Sequence, residues 1–523
     1  MNTIRKLPIG IQDFEYLRTN NYLYVDKTEY IYKLLQHGKP YFLGRPRRFG
    51  KSLFLSTLRA YFEGKKELFE GLKIAELEKE WVKYPIIYLD FNVGLLVKTE
   101  NVSERINVKI KELEQLWGQK TDTEDLASRF EAVIKSAYEQ TGKQVVVLID
   151  EYDKPLINTM NDKTTNEEIR TLLKSFYGVL KSTDAYLRFV FLTGVTKFSK
   201  VSIFSDLNQL VDISLDEKYS GICGITQIEL EENFVPEITA LAETTRKTYE
   251  ETLFELQKLY NGYHFSEDFI GVYNPFSLLN TFSTQKYRYY WFATGTPTFL
   301  AKALLNQNYD IRKFDNDVII AVNSVMDYQV ENQNLVPLLY QSGYLTIKEY
   351  KQDGDYFVLG FPNEEVKYGF LNELLPVFVL DPIQTGNFSV IEFMQQIKQG
   401  NIDGFMTSLK AFFAAIPYDA IKLENRGEQY YQHVFYLLFK LMGQFIETEV
   451  KNNTGRADAV VKTADSIYVF EFKMDDNATA EDALAQINSK DYAIPYFADH
   501  RKIVKIGVEF SQKEKGVKRW LIE

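Results

Sequence analysis

Residues Tyr41-Phe42-Leu43-Gly44-Arg45-Pro46-Arg47-Arg48-Phe49-Gly50-Lys51-Ser52 run on into Leu53-Phe54-Leu55-Ser56-Thr57-Leu58. A short apolar strand leads into this stretch. An amphipathic helical pattern leaves it, with Leu53, Leu55, Leu58 and Tyr61 among the apolar positions. Strand, loop ending in Gly-Lys-Ser, then helix is the setting of a phosphate-binding P-loop. The chemistry accounts for the residue types. Backbone N–H groups at a helix start point at phosphate oxygens. Gly50 lets the backbone come close, Lys51 reaches the outer phosphates, and the Ser52 hydroxyl is placed to ligate Mg²⁺. Arg47 and Arg48 add positive charge to the same nucleotide-binding set. The usual pattern has a glycine five residues before the second glycine; here Arg45 stands at that place and Gly44 lies one further back. A chance Gly-Lys-Ser on a basic surface loop is the competing reading of this stretch alone.

A second stretch weighs against chance. Gln144-Val145-Val146-Val147-Leu148-Ile149-Asp150-Glu151-Tyr152-Asp153 reads as a buried parallel strand that ends in acids. A Walker B strand requires this: Asp150 to hold Mg²⁺ and Glu151 to polarise the attacking water. Two further apolar runs, Tyr84–Phe91 and Leu187–Gly194, fit the same sheet, and Thr193 stands where a sensor of the γ-phosphate would. Helical patterns over Arg105–Leu116, Leu126–Glu139 and Asn166–Leu180 separate the strands. Strands alternating with helices predict an α/β fold, a P-loop parallel sheet with flanking helices. Ligands then sit at the carboxyl ends of the strands, where both motifs fall.

A third stretch lies near the C-terminus. Residues 454–461 and 466–473, Thr-Gly-Arg-Ala-Asp-Ala-Val-Val and Ser-Ile-Tyr-Val-Phe-Glu-Phe-Lys, read as two strands joined by a tight turn at Ala464-Asp465. That turn pairs Thr463 with Ser466 and, stepping outward, Asp458 with Glu471. Glu471 and Lys473 are two residues apart and share a face, so Asp458, Glu471 and Lys473 gather at one spot. Two carboxylates this close repel and call for a divalent cation, and oxygen-only ligands suit Mg²⁺ or Mn²⁺. A lysine beside them positions or helps deprotonate a water, which outlines a phosphodiester-hydrolysing site. The competing reading is a hairpin with a surface ion pair, worth little. Glu428, in the first turn of a helix expected from about Asn425 to Phe445, is either a further metal ligand or an ordinary acid favoured by the helix dipole. A helix over Ala483–Tyr492 would bring Gln486 and Lys490 near the site. His433 reads as helix packing.

Composition bounds the rest. At ~100–200 residues per domain, 523 residues predict about three domains. One cysteine, Cys223, excludes an intramolecular disulfide and nearly excludes a Cys-based zinc site. His37, His264, His433 and His500 show no metal-ligand spacing. No signal peptide is expected from the opening residues, and no apolar run approaches the ~20 residues that span a bilayer. A cytoplasmic location without a membrane partner is therefore expected. The net charge of −11 argues against a passive nucleic-acid coat. Yet the first sixty residues carry eleven Lys and Arg against four acids, so basic charge gathers around one loop that needs an anionic partner.

These residues together resemble a known family. Leu7-Pro8-Ile9-Gly10-Ile11-Gln12-Asp13-Phe14, Tyr24-Val25-Asp26-Lys27-Thr28 and Arg45–Ser52 look like its N-terminal signature. The middle adds Tyr260-Asn261-Gly262-Tyr263-His264-Phe265, Tyr273-Asn274-Pro275-Phe276-Ser277, residues 290–296 and Ser342-Gly343-Tyr344-Leu345. The chain resembles the bacterial AAA-ATPase-like proteins with a C-terminal PD-(D/E)XK nuclease-superfamily domain. The resemblance implies ATP and Mg²⁺ as cofactors, a helical and winged-helix-like middle, and a restriction-endonuclease-like α/β end. It also implies the nuclease motif Asp458, Glu471, Lys473, with Glu428 and Gln486 supporting. The motif's usual proline is absent, since Ala457 precedes Asp458.

The expected division is a P-loop ATPase core over 1–225, a helical lid over 226–335, a wing-like helix and hairpin over 336–375, a connector over 376–400 and the nuclease-like domain over 401–523. The wing's tyrosines read as packing more than as a base-stacking platform. The basic tail Lys513–Arg519 either touches backbone phosphate or is a solvated face. The expected function is ATP hydrolysis coupled to a Mg²⁺-dependent nuclease, with nucleic acid as partner and homo-oligomerisation open. The alternative is a nucleotide-dependent switch or scaffold whose nuclease-like end binds without cleaving.

Overall fold

The structure, a computed structural model, describes all residues except 1–4, 37, 39, 93, 95, 119–120, 198–208, 293–297, 308, 328–333, 380–384, 417–427, 444–446, 451–456, 477, 512 and 515. Side chains at 298–299, 385–389, 428–429, 432 and 447–450 lie outside the description as well. The chain forms two compact units: Met1–Trp291 with Asn316–Glu364, and Phe292–Asp315 with Glu365–Glu523.

The first unit is built on five parallel strands: β1 (Tyr41–Gly44), β2 (Ile86–Asp90), β3 (Val145–Asp150), β4 (Leu187–Gly194) and β5 (Val211–Asp212). Their order is β2-β3-β4-β1-β5. Every residue of β3 is buried, because a central parallel strand is covered on both faces, and its unbroken Val-Val-Val-Leu-Ile run follows from that. β4 inserts between β1 and β3. The two-residue β5 is too short to register as periodicity in the sequence. Helices Thr99–Trp117, Leu126–Thr141 and Lys163–Ser182 connect the strands. Two of them start on aspartate caps: Asp125 accepts from the Ser128 N–H and Asp162 from the Thr165 N–H.

Helices Gln227–Asn233, Val235–Thr245, Tyr249–Tyr260 and Pro275–Thr284 follow. They share a core of Leu230, Phe234, Ile238, Leu241, Leu256 and Phe282, onto which the N-terminal Leu7, Ile9, Leu23 and Val25 pack. A small antiparallel pair, β6 (Ile225–Thr226) with β7 (Val272–Tyr273), ties this layer together. In the region expected as a wing lie the helix Leu335–Gln341 and a hairpin of β9 (Thr346–Lys351) and β10 (Tyr356–Gly360). A third strand, β8 (Val318–Ala321), pairs with β10. All seven residues of the helix are buried, so it presents no face for a nucleic-acid groove.

In the second unit the sheet order is β11 (Glu447–Val450), β12 (Ala459–Lys462), β13 (Ser466–Met474), β14 (Lys502–Ser511) and β15 (Gly516–Ile522). β13 and β14 are parallel and joined through the helix Ala480–Ser489; the other pairs are antiparallel. Phe470 and Phe472 pack against Phe439 and Phe435 of the helix Glu428–Met442. That helix stops three residues short of expectation, at Gly443, whose N–H closes onto Phe439 O. Among the described residues no helix is long and apolar enough to cross a membrane.

The helix Ala480–Ser489 crosses the sheet at Gly507, where an added Cβ would lie 2.4 Å from Ala480 O and 2.9 Å from Leu484 N. Both obstacles are backbone, so Gly507→Ala must push the helix off β14. We expect a cost of ~1–3 kcal/mol, read as a lowered midpoint for the second unit in calorimetry. An unchanged midpoint would contradict this helix–sheet approach.

Candidate functional sites

The P-loop is held from behind. β1 ends at Gly44, and the Arg45 side chain turns away into the protein, 1% exposed. Its guanidinium donates to Gly44 O at 2.9 Å, Ser214 O at 2.7 Å and Tyr219 O at 3.0 Å, and lies 4.1 Å from the Phe265 ring centre. Burial lowers its pKa. Arg45 therefore anchors the loop at the position a glycine usually holds. The middle motifs supply the rest of the grip. Phe49 meets Tyr263 and Phe265 edge-on, Arg48 stacks 3.8 Å from the Phe276 ring centre, Trp291 Nε1 donates to Arg47 O at 3.4 Å, and Gly343 abuts Pro46. Gly343 has φ 87 and a Cβ there would lie 2.9 Å from Pro46 Cβ, so only glycine fits.

Gly50, at φ 97, is the N-cap of the helix Lys51–Phe62. Lys51 is buried and donates to Arg45 O at 2.9 Å and Pro46 O at 3.1 Å. The loop opens onto a cavity of about 630 Å³, lined by Arg47, Arg48, Gly50, Lys51, Ser52 and Glu151. Its other walls include Pro8–Gln12, Phe234, Phe276 and Leu279. The volume is that of an ordinary ligand pocket. One region carries cations and N–H groups while another is apolar, as a nucleotide's phosphates and base require. The role of the Pro8–Gln12 stretch as cavity wall was invisible in the sequence, since the stretch has no periodicity of its own.

At the strand ends, Asp90 pairs in register with Asp150. Burial raises the pKa of Asp90, and the negative charges of Asp150 and Glu151 add to the effect. The Thr193 hydroxyl, fully buried, donates to Asp150 Oδ1 at 2.5 Å. Thr193 thus orients the Asp150 carboxylate. Glu151 sits at φ 49, in the left-handed region that non-glycine residues rarely adopt. Asp153, 1% exposed, accepts from the N–H groups of Val195 at 3.0 Å and Thr196 at 2.5 Å, and so ties the segment after β4 to the Walker B loop. Burial pushes its carboxyl up to about 7.

In the second unit the hairpin has the turn Thr463–Ser466, with Thr463 N–H donating to Ser466 O at 2.9 Å. β12 and β13 pair Ala459 with Phe470, which sets Asp458 opposite Glu471. The two acids lock reciprocally. Asp458 N–H donates to Glu471 Oε2 at 3.3 Å, and Phe472 N–H donates to Asp458 Oδ2 at 2.9 Å. Lys473 Nζ lies 3.3 Å from Glu471 Oε1 and 2.6 Å from Gln486 Oε1. Gln486 Nε2 donates to Glu471 Oε1 and, at 3.2 Å, to the Tyr492 hydroxyl. Glu471 is 2% exposed, and an unbalanced buried carboxylate is costly. The donor set, hard oxygen atoms with an adjacent ammonium, fits Mg²⁺ or Mn²⁺.

The Glu428 side chain lies outside the described residues. Among the described residues no three His, Cys, Asp or Glu converge as a metal cage. Lys490 is exposed at its helix end. His433 is buried in packing, with Nε2 3.4 Å from Asp310. Sequence reasoning missed Arg312, which forms a two-pronged pair with Asp310 at 2.8 and 2.9 Å. That pair raises its pKa and the charge of Asp458 adds to the rise. The basic tail is not a free cationic surface: Lys518 and Arg519 both bond to the buried Glu509 at 2.7 Å, and Arg519 also to Glu481.

Two family descriptions match the chain. Residues 8–204 match "Predicted AAA-ATPase", and residues 426–520 match "PD-(D/E)XK nuclease superfamily". An uncharacterized protein in the vnfD 5' region of Azotobacter chroococcum mcd 1 is 36% identical over 529 residues, covering 99% of each chain.

The raised carboxyl of Asp153 has a consequence for stability. Its folded pKa, about 7, exceeds the unfolded value, so the folded state holds this proton more tightly. The contribution is complete below about pH 4 and is lost as the pH rises to about 7. Relative to Asp153→Asn, the wild-type thermal midpoint should fall between pH 5 and pH 8. Parallel midpoints across that range would contradict the assignment.

Proposed function

We propose a function for this chain from its family and its sites: it belongs to the AAA-ATPase-like proteins that carry a C-terminal PD-(D/E)XK nuclease-superfamily domain. In this reading the first unit binds and hydrolyses ATP, and the second cleaves nucleic-acid phosphodiesters with Mg²⁺ or Mn²⁺. ATP binding and turnover govern nucleic-acid access to the second site. The observation that carries the nuclease half is the reciprocal lock of Asp458 and Glu471 with Lys473 and Gln486 beside them. A surface ion pair would need neither a buried glutamate nor a glutamine bonded to both its partners.

Lys51 and the N–H groups at the start of its helix would take the outer phosphates, and Arg47 and Arg48 the remaining negative charge. The apolar wall of Phe234, Phe276 and Leu279 would receive the base. Glu151 would accept a proton from the attacking water. Ser52 and Asp150 would hold Mg²⁺, which supplies charge neutralisation on the phosphate oxygens. In the second unit Asp458 and Glu471 would hold the cation, which supplies Lewis acidity at the scissile phosphate. Lys473, kept in place by Gln486, would orient the attacking water or stabilise charge at phosphorus.

In either reading a duplex would have to be met elsewhere than at the tail, where Lys518 and Arg519 are paired with Glu509 and Glu481. The test is Mg²⁺-dependent cleavage of single- and double-stranded DNA and RNA, with and without ATP. Glu471→Ala and Lys473→Ala should each lower wild-type cleavage by at least ~100-fold, assayed at a temperature where circular dichroism shows each variant folded. Binding of nucleic acid without cleavage by the wild type under every nucleotide condition would favour the scaffold. Glu151→Gln should retain ATP binding and lose turnover; equal turnover in both would remove Glu151 from its role.

A further inference from the structure

We propose that Lys154 is a catalytic cation of the ATPase site, supplied by the same chain that binds the nucleotide. The inference rests on the ATP-hydrolysing reading above and adds a residue to it. Lys154 opens the short helix Lys154–Asn158, directly after the Walker B loop. Its ammonium lies 3.6 Å from Glu151 Oε2. It also donates to the Asn92 carbonyl at 3.1 Å and to the Asn92 side-chain oxygen. Asn92, Glu151 and Lys154 line the same cavity as Lys51 and Ser52. Lys154 therefore adds a cation from beyond β3 to those the P-loop segment brings to the cavity, Arg47, Arg48 and Lys51.

A carboxylate that accepts a proton from water sits ~3 Å from it, and that water lies ~3–3.5 Å from phosphorus. An ammonium 3.6 Å from that carboxylate would face the same water and the phosphoryl group beyond it. The left-handed backbone of Glu151, φ 49, turns the chain there, and Lys154 N–H closes the turn onto Glu151 O at 3.1 Å. A left-handed non-glycine residue costs free energy and persists where the surroundings require that shape. A partly exposed ion pair one turn apart adds little to stability by itself, so stability alone does not account for the arrangement.

In the step, the water oxygen bonds to the γ-phosphorus as the bond to the β–γ bridging oxygen breaks. ADP leaves with that electron pair, and the water's proton passes to Glu151 and then to the released phosphate. Negative charge grows on the bridging and equatorial oxygens. Lys154 keeps its protons throughout and neutralises that charge alongside Lys51. Many P-loop enzymes take such a cation from a partner molecule; a lysine on the same chain makes turnover independent of one.

The experiment compares the full-length wild type with Lys154→Ala and Lys154→Gln. It measures ATP turnover, affinity for a fluorescent ADP, and affinity for ADP with aluminium fluoride, which imitates the transferring phosphoryl group. Both variants should lose ~100-fold or more in turnover and a comparable factor in ADP–aluminium fluoride affinity, with ADP affinity within about twofold. Retained ADP affinity also certifies that the site has folded. Wild-type turnover per chain should not change with protein concentration. Wild-type rates in either variant, ADP affinity falling as far as ADP–aluminium fluoride affinity, or turnover that rises with concentration would each overturn the assignment while leaving an ATPase. Absence of turnover by the wild type would overturn the parent reading and this one together.

Discussion

The first unit depends on a buried guanidinium. Arg45 has three carbonyl partners and an aromatic ring beneath it. Taking a guanidinium out of water is costly unless its donors are used, so these partners must be in place whenever the loop is folded. Two of them, Ser214 and Tyr219, come from the segment after β5. The phosphate loop therefore takes its shape from the whole unit. Phe49, Arg48, Arg47 and Pro46 are gripped in turn by residues scattered between 263 and 344. The middle segments that carry the family resemblance are largely the mould of this loop.

The strand ends show how one sheet arranges chemistry. β2, β3 and β4 finish at about the same height, and each brings a polar group: Asp90, then Asp150 with Glu151, then Thr193. Packing acids so close raises the proton affinity of Asp90 and Asp153, burial being the larger cause in each. Hydrogen bonds apportion the roles. Asp150 is oriented by Thr193, Asp153 is spent on the backbone after β4, and Glu151 faces the cavity.

In the second unit the corresponding device is an acid pair one step beyond the last ladder pair of the β12–β13 hairpin. Asp458 and Glu471 each take a backbone N–H from the other's strand, so the carboxylates are fixed by the ladder more than by their rotamers. Gln486 reaches them only because Gly507 lets its helix lie against β14. Phe470 and Phe472 hold the opposite face on a helix rich in aromatics. An acid pair thus sits on one side of a strand and an aromatic core on the other, a direct result of the two-residue period of a strand.

Local chemistry was legible from neighbouring residues alone. The valine run of β3, the Gly-Lys-Ser at a helix start and the alternation through Glu471 and Lys473 each carry their structure in neighbouring residues. The hairpin register followed from a single turn. The tertiary structure decided what depends on contacts remote in sequence. It turned Arg45 inward, gave Thr193 to Asp150 and buried the helix Leu335–Gln341. It neutralised Lys518 and Arg519 with Glu509, and it brought Pro8–Gln12, Asn92 and Lys154 to one cavity. Those outcomes rest on burial and on partners tens to hundreds of residues away, which no periodicity or motif encodes.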